Sequence, residues 1–278
     1  MTVAVFFLPH IWDSGAVCAI LITMNSELEQ NITRLLVEKY NGVETPEYFT
    51  DVERLKAGEP YAYILGWKDF LGVHIDLSCK PIIPRAETAH WALRAIGELK
   101  VREKELGRPL RTFDAYAGSG NVGLAVAKHM PGTIVEISEL DALLSPGIVE
   151  SARLNGIPES QIEVLPGDSL NTATGLYDAI FANPPYIPLS DIDNLDPDMV
   201  AHEPHLAFFA DQGGNEFHKV LIDKAWDFLV PGGAVYIEAD EYQRPAIEAL
   251  LEGTPWTYEF WEDQYGQVRF PVLRKLTK

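Results

Sequence analysis

From residue 111 to residue 251 the chain alternates short runs of aliphatic and aromatic residues with segments whose apolar positions recur at helical spacing. The pattern predicts strands over 111–115, 132–139, 162–165, 177–182 and 233–238, with helices over 120–129, 144–154, 216–229 and 243–251. Strands joined through helices lie parallel, so the alternation specifies a doubly wound α/β sheet. Two last strands, 256–261 and 268–273, flank Asp263-Gln264-Tyr265-Gly266 and give the sheet an antiparallel edge.

Upstream the pattern changes. Leu28, Ile32, Leu35, Leu36 and Tyr40 fall at helical spacing over 26–40, with Ser26 as N-cap and Asn41-Gly42 as stop. A second helix over 46–57 ends at Gly58-Glu59-Pro60, so residues 24–60 form a small helical domain. Residues 61–84 are expected to be extended with turns, including Val73 to Leu77, and 61–86 to be a connecting hairpin. A helix over 87–106 then opens the main domain, 87–278. Residues 1–23 are apolar but interrupted by Pro9, His10 and Asp13, which suits neither a signal peptide nor a membrane span. Met24 is the expected start of translation, and 1–23 an extension of doubtful standing.

With 22 basic and 41 acidic residues the formal charge is −19, the reverse of the basic surface that phosphates demand. Direct nucleic-acid binding is therefore not expected. Cys18 and Cys79 are too few for a disulfide framework or a metal site, and no His, Cys and Asp cluster has metal-ligand spacing. The expectation is a monomeric enzyme of the reducing cytoplasm, with no metal and no membrane contact.

Directly after the predicted strand 177–182 comes Asn183-Pro184-Pro185-Tyr186. Such a turn can hold a planar nitrogen while a methyl group is delivered to it. The lone pair of an amide or exocyclic amino nitrogen is delocalised, and acceptors aimed at its N–H groups favour pyramidalisation and relieve developing positive charge. The Asn183 side-chain oxygen and the Pro184 carbonyl suit that part, Pro184 and Pro185 stiffen the turn and remove backbone donors, and Tyr186 offers a flat wall. An ordinary strand exit with two prolines is the plainer alternative.

Asp114-Ala115-Tyr116-Ala117-Gly118-Ser119-Gly120 lies where the first strand feeds its helix. Gly118 and Gly120 permit a tight turn and close approach of a ligand. No Lys-Ser or Lys-Thr follows, so this is not a phosphate-cradling loop. The leading Asp114 repels a pyrophosphate and suits a cationic amino acid, as in S-adenosylmethionine. Asp114, Tyr116, Gly118 and Gly120 are thus cofactor candidates, as is Asn183 at the neighbouring strand end. A carboxylate closing the second strand would take the ribose hydroxyls: Glu139 first, Asp141 second, the latter reading equally well as a helix N-cap. Asp168 is placed for an adenine amino group, or for an Asx-turn.

Several linked segments resemble the release-factor glutamine methyltransferase family (HemK/PrmC type) over nearly the whole chain from Met24. They are Tyr61-Ala62-Tyr63-Ile64-Leu65-Gly66, Phe70-Leu71-Gly72, Ile83-Pro84-Arg85-Ala86-Glu87-Thr88, residues 114–123, the Asn183 to Tyr186 turn, His202-Glu203-Pro204, Gly213-Gly214, Val230-Pro231-Gly232-Gly233 and residues 263–269. The resemblance implies a seven-stranded Rossmann-like class I methyltransferase sheet. A β-hairpin would join it to a small N-terminal helical domain that recognises the substrate.

It also implies methyl transfer from S-adenosylmethionine to the glutamine amide in the Gly-Gly-Gln motif of class I peptide-chain release factors. Asn183, Pro184, Pro185 and Tyr186 would be the catalytic turn, and Arg85, Glu87, Thr88 and Glu203 would shape the site. Arg85 and Glu203 could equally form structural salt bridges. The chain departs from the family at Ala86, where Pro is usual, at Ala89, where an acid is usual, and at Asn215-Glu216-Phe217, where relatives commonly show Asp-Gly-Leu. Its helical lobe is shorter than is typical.

The same turn would serve a methyltransferase acting on an adenine amino group of DNA or RNA, which the acidic charge disfavours. A ribosomal-protein glutamine is another acceptor, disfavoured by the Arg85 to Thr88 segment. A catalytically silent binding partner would have no need of Asp114, Gly118, Gly120, Glu139 and the intact turn together.

Overall fold

The computed structural model describes residues 27–277, so the expectations for Met24, Ser26 and the extension fall outside the described residues. Tertiary contacts divide the chain into two units between Leu65 and Gly66.

The first unit holds the helices Glu27–Glu38, Pro46–Lys56 and Tyr61–Leu65. Thr45 caps the second by accepting from the Tyr48 N–H, and Pro46 sits at its first turn, where a missing N–H costs nothing. Leu35, Tyr48, Val52, Leu55 and Ile64 make its small core. Tyr61–Leu65 is helical, not extended as the sequence led us to expect. The Pro60 carbonyl accepts from the N–H groups of Tyr63 and Ile64, and burying those two side chains decides a run too short for periodicity to settle.

The second unit opens with a hairpin of β1 (Trp67–Phe70) and β2 (Val73–Asp76), followed by the helix Ala86–Leu106. The main sheet comprises β3 (Arg111–Asp114), β4 (Ile134–Glu139), β5 (Ile162–Pro166), β6 (Tyr177–Ala182), β7 (Leu229–Ile237), β8 (Thr257–Glu262) and β9 (Val268–Arg274). Their order is β5-β4-β3-β6-β7-β9-β8. The first five run parallel, while β9 is antiparallel to both β7 and β8. Every residue of β6 is buried, as a central strand covered on both faces must be. On one face Trp91 packs against Phe181 and Phe270; on the other, Phe113, Tyr177, Leu221, Ile247 and Trp256 share a core.

The chain winds outward from β3 through β4 to β5, then returns to place β6 on the other side of β3. The carboxyl ends of β3 and β6 therefore flank the point where the winding reverses, which is where an open α/β sheet has a cleft. Residues 187–214, over which no element is predicted, form short 3-10 turns and the short helices Pro197–His202 and Asp211–Gly214. Among the described residues no helix is long and apolar enough to cross a membrane.

Candidate active site

Asp114 ends β3, and its Oδ2 accepts from the Gly123 N–H at 2.8 Å, tying the strand to the helix Asn121–His129. Gly118 and Gly120 between them hold φ of +54° and +73°. Their conformations favour glycine, and a Cβ on either would lie 2.8 Å from Ile82 or Ile148 respectively. Burial, opposed by the Gly123 N–H and assisted by the Glu139 charge, pushes the Asp114 carboxyl up to about 7.

Glu139 closes β4. Its two oxygens accept from the Gly118 N–H at 2.6 Å and the Asp141 N–H at 2.8 Å, and burial raises its pKa above the ordinary carboxylate range. Asp141 is an N-cap, taking the Leu143 N–H at 3.0 Å onto its side chain. Asp168 follows β5 and accepts from the Asn171 side chain at 3.1 Å.

One cavity is lined by Asp114, Tyr116, Gly118, Glu139, Asp141, Asp168, Asn183 and Pro185. The fold thus brings together candidates drawn from the ends of four parallel strands. Gly120, Pro184, Tyr186, Arg85, Glu87, Thr88 and Glu203 do not line it. Arg85 instead bonds Glu203 at 2.6 Å, and the other Glu203 oxygen accepts from the Ile83 N–H at 2.9 Å, so this buried carboxylate fastens the 83–85 segment.

Pro184 is buried and Asn183 half-buried at the cavity. The Asn183 Nδ2 lies 3.3 Å from Thr88 Oγ1, and the Tyr186 hydroxyl donates to Glu238 Oε1 at 3.2 Å. Burial and the Glu238 charge hold the Tyr186 hydroxyl well above its usual pKa, so it stays a neutral donor. Glu238 Oε2 also accepts from Thr88 at 2.7 Å and from the Trp91 indole at 2.8 Å.

Sequence reasoning passed over Glu238 and Gln243. Glu238 carried one signal, an acidic residue directly after the apolar run that ends β7, yet it is buried. Its N–H donates to the Ala182 carbonyl at 2.9 Å, which sets it beside the Asn183 turn. Gln243 bridges the carbonyls of Tyr186 and Gly214 at 3.0 and 2.8 Å. Phe217, a departure from the resemblance, lines the cavity and meets the Tyr116 ring edge-on at 5.5 Å.

Solved structures share the fold. The catalytic domain of hMettl16, solved with an RNA hairpin of the MAT2A 3'UTR, superposes with a TM-score of 0.56 at 16% identity, covering 91% of this chain and 82% of that one. A methyltransferase from Pyrococcus furiosus gives 0.51 at 17% identity, over 84% of this chain and 100% of its own. The seven-stranded sheet with its reversed edge is thus the class I methyltransferase fold. No family model matches the chain.

Curated relatives are more specific. The release factor glutamine methyltransferase of Deinococcus radiodurans is 31% identical over 225 residues, 81% of this chain and 77% of the relative. That of Bradyrhizobium diazoefficiens is 34% identical over 221 residues, 78% and 71%, and that of Streptococcus pneumoniae 30% over 234 residues, 83% and 80%. This chain belongs to the release factor glutamine methyltransferase family.

Proposed function

We infer that this protein transfers a methyl group from S-adenosylmethionine to the side-chain amide nitrogen of the glutamine in the Gly-Gly-Gln motif of a class I peptide-chain release factor. The observation that carries the reading is a single cavity onto which both Asn183 and four carboxylates open: Asp114, Glu139, Asp141 and Asp168.

The donor set fits the cofactor. Carboxylates outnumber the one lysine of the lining, Lys80, which disfavours a polyphosphate and favours a ligand bearing ammonium and sulfonium charges. Glu139 or Asp141 would take the ribose hydroxyls, Asp168 the adenine amino group, and the Asp114 end of the cavity the cationic amino acid. Tyr116 and Phe217 supply apolar wall. When bound, S-adenosylmethionine supplies an electrophilic methyl group on sulfur.

The protein's own part is alignment. Asn183 Oδ1 and the Pro184 carbonyl would accept from the two N–H groups of the substrate amide, holding its nitrogen toward the cavity and polarising it. Pro184 and Pro185 offer no N–H to compete for those acceptors. Tyr186 would wall the slot and keep water from it. No general base is needed, because the amide proton acidifies once the nitrogen is alkylated and leaves to solvent.

Incubation with methyl-labelled S-adenosylmethionine and a release factor carrying Gly-Gly-Gln should label the factor, whereas a Gly-Gly-Ala version should stay unlabelled. Equal labelling of the two would remove the glutamine assignment. Labelling of DNA or RNA adenine in parallel reactions would favour the nucleic-acid alternative.

A further inference from the structure

Glu238 reaches the catalytic turn by two routes. One is direct, through the Tyr186 hydroxyl at 3.2 Å. The other passes through Thr88, whose hydroxyl lies 2.7 Å from Glu238 Oε2 and 3.3 Å from Asn183 Nδ2. All of Thr88, Trp91 and Glu238 are buried, so solvent does not supply alternative partners to them.

The donors settle the direction of this chain of bonds. An indole N–H only donates, so Glu238 Oε2 accepts from Trp91. The same oxygen accepts from Thr88. A hydroxyl has one proton, and with that proton on Glu238 the Thr88 oxygen offers only lone pairs to its other neighbour. That neighbour is the Asn183 amide. Its two ends are nearly the same size, so packing does not choose between them; hydrogen bonding does. Nδ2 toward Thr88 makes a bond, whereas Oδ1 toward Thr88 would oppose lone pair to lone pair. With Nδ2 engaged, Oδ1 is the end left for a substrate N–H.

Resting on the methyl-acceptor reading above, we propose that Thr88 and Glu238 are positioning residues that fix which end of the Asn183 amide faces the substrate. A flipped Asn183 would present N–H groups to the N–H groups of the incoming amide and lose its polarising contact. Neither Thr88 nor Glu238 touches the reacting atoms in this scheme. Thr88 lies in the first turn of the helix Ala86–Leu106 and Glu238 just past β7, so two rigid elements hold the setting.

The test replaces the hydroxyl and keeps the shape. Thr88→Val should lower kcat on a release factor about tenfold to a hundredfold, with the calorimetric Kd for S-adenosylmethionine unchanged. Thr88→Ser should recover most of that loss, and Thr88→Ala serves in place of Val should the valine protein fail to fold. Asparagine-selective 15N labelling gives a readout that needs no turnover. The Asn183 side-chain pair, assigned by its loss in Asn183→Ala, should exchange slowly with solvent in the wild type and in Thr88→Ser, and quickly in Thr88→Val. Wild-type turnover and exchange in the valine variant would overturn the proposal, as would a loss that serine does not restore. A wild-type protein inactive on release factors would instead overturn the acceptor assignment, leaving the amide resonances to decide the orientation.

Discussion

A Cβ on Gly214 would collide with the carbonyl oxygen of Tyr186, so the Gly213-Gly214 turn and the Asn-Pro-Pro-Tyr turn stand in direct backbone contact. Gln243 locks them together by donating to both carbonyls. Gly214 also has φ of +82°, a conformation that side chains resist. Gly213, at φ +65°, has nothing within 4 Å of its Cβ position. We expect Gly214→Ala to push the catalytic turn out of place, lowering kcat at least about tenfold and stability by about 1–3 kcal/mol. Gly213→Ala should cost only the strain of its φ, about 1 kcal/mol, with kcat near wild type. Denaturant titration and steady-state kinetics on the pair check this; equal kcat losses would place the effect in the loop's flexibility and not in the contact.

Asn183→Ala removes the acceptor proposed for the substrate amide and leaves the carboxylates of the cavity in place. Turnover should fall about a hundredfold or more, the scale of losing one aimed polar group at a reacting centre. The calorimetric Kd for S-adenosylmethionine should change little. Unchanged turnover would remove Asn183 from the mechanism.

The strands and helices that build the cleft were legible because their apolar runs are bounded by glycine or proline, as at β6, which runs into Pro184, and the helix Asn121–His129, entered at Gly120. Asn183 and the Asp114 to Gly120 loop announced themselves by residue types with few other uses together. Glu238 and Gln243 did not, since a single acid after a strand and a glutamine before a helix are common on surfaces. Only the three-dimensional return of β7 beside β6 makes them internal. Tyr61–Leu65 failed for the opposite reason: five residues carry too little periodicity, and tertiary burial of Tyr63 and Ile64 outweighs it. Asp141 remained double-valued in the sequence, and in the structure it both caps a turn and lines the cavity.

In the first unit, Asp51 gathers three donors: Lys39 at 2.7 Å, the Tyr40 hydroxyl at 2.7 Å and Arg54 at 2.6 Å. Burial pushes its carboxyl up, but those bonds outweigh burial and hold it below the ordinary range. A depressed carboxyl stabilises the fold above its unfolded pKa and gives that stability up as pH falls through the folded value. Amide hydrogen exchange across residues 27–65 should therefore show this unit loosening in acid below the ordinary carboxylate range. Asp51→Ala should destabilise it by about 1–2 kcal/mol at neutral pH, because Lys39 and the Tyr40 hydroxyl lose their carboxylate while Arg54 keeps Glu59 and both cations stay partly solvated. A substitution effect under about 0.5 kcal/mol would mean that solvent replaces these bonds.

Asp114 carries the opposite sign. Its carboxyl is pushed up to about 7, so near neutrality the free protein holds it partly protonated. A raised carboxyl stabilises the fold fully below its unfolded pKa, and that stability is lost as pH rises through about 7. A cationic ligand placed beside it favours the ionised form. Binding of S-adenosylmethionine should then release a proton, and affinity should strengthen as pH is raised from about 6 to about 8, by about tenfold if ionised Asp114 is required. The two trends oppose each other. Across that window the free protein should lose thermal stability, while the stabilisation gained on adding cofactor should grow. Titration calorimetry in two buffers of different ionisation enthalpy measures the proton directly. Asp114→Asn, which can still accept from the Gly123 N–H, should bind more weakly at high pH and show no proton release centred near neutrality. Affinity that stays flat across the window in the wild type would place the cationic end of the ligand away from Asp114.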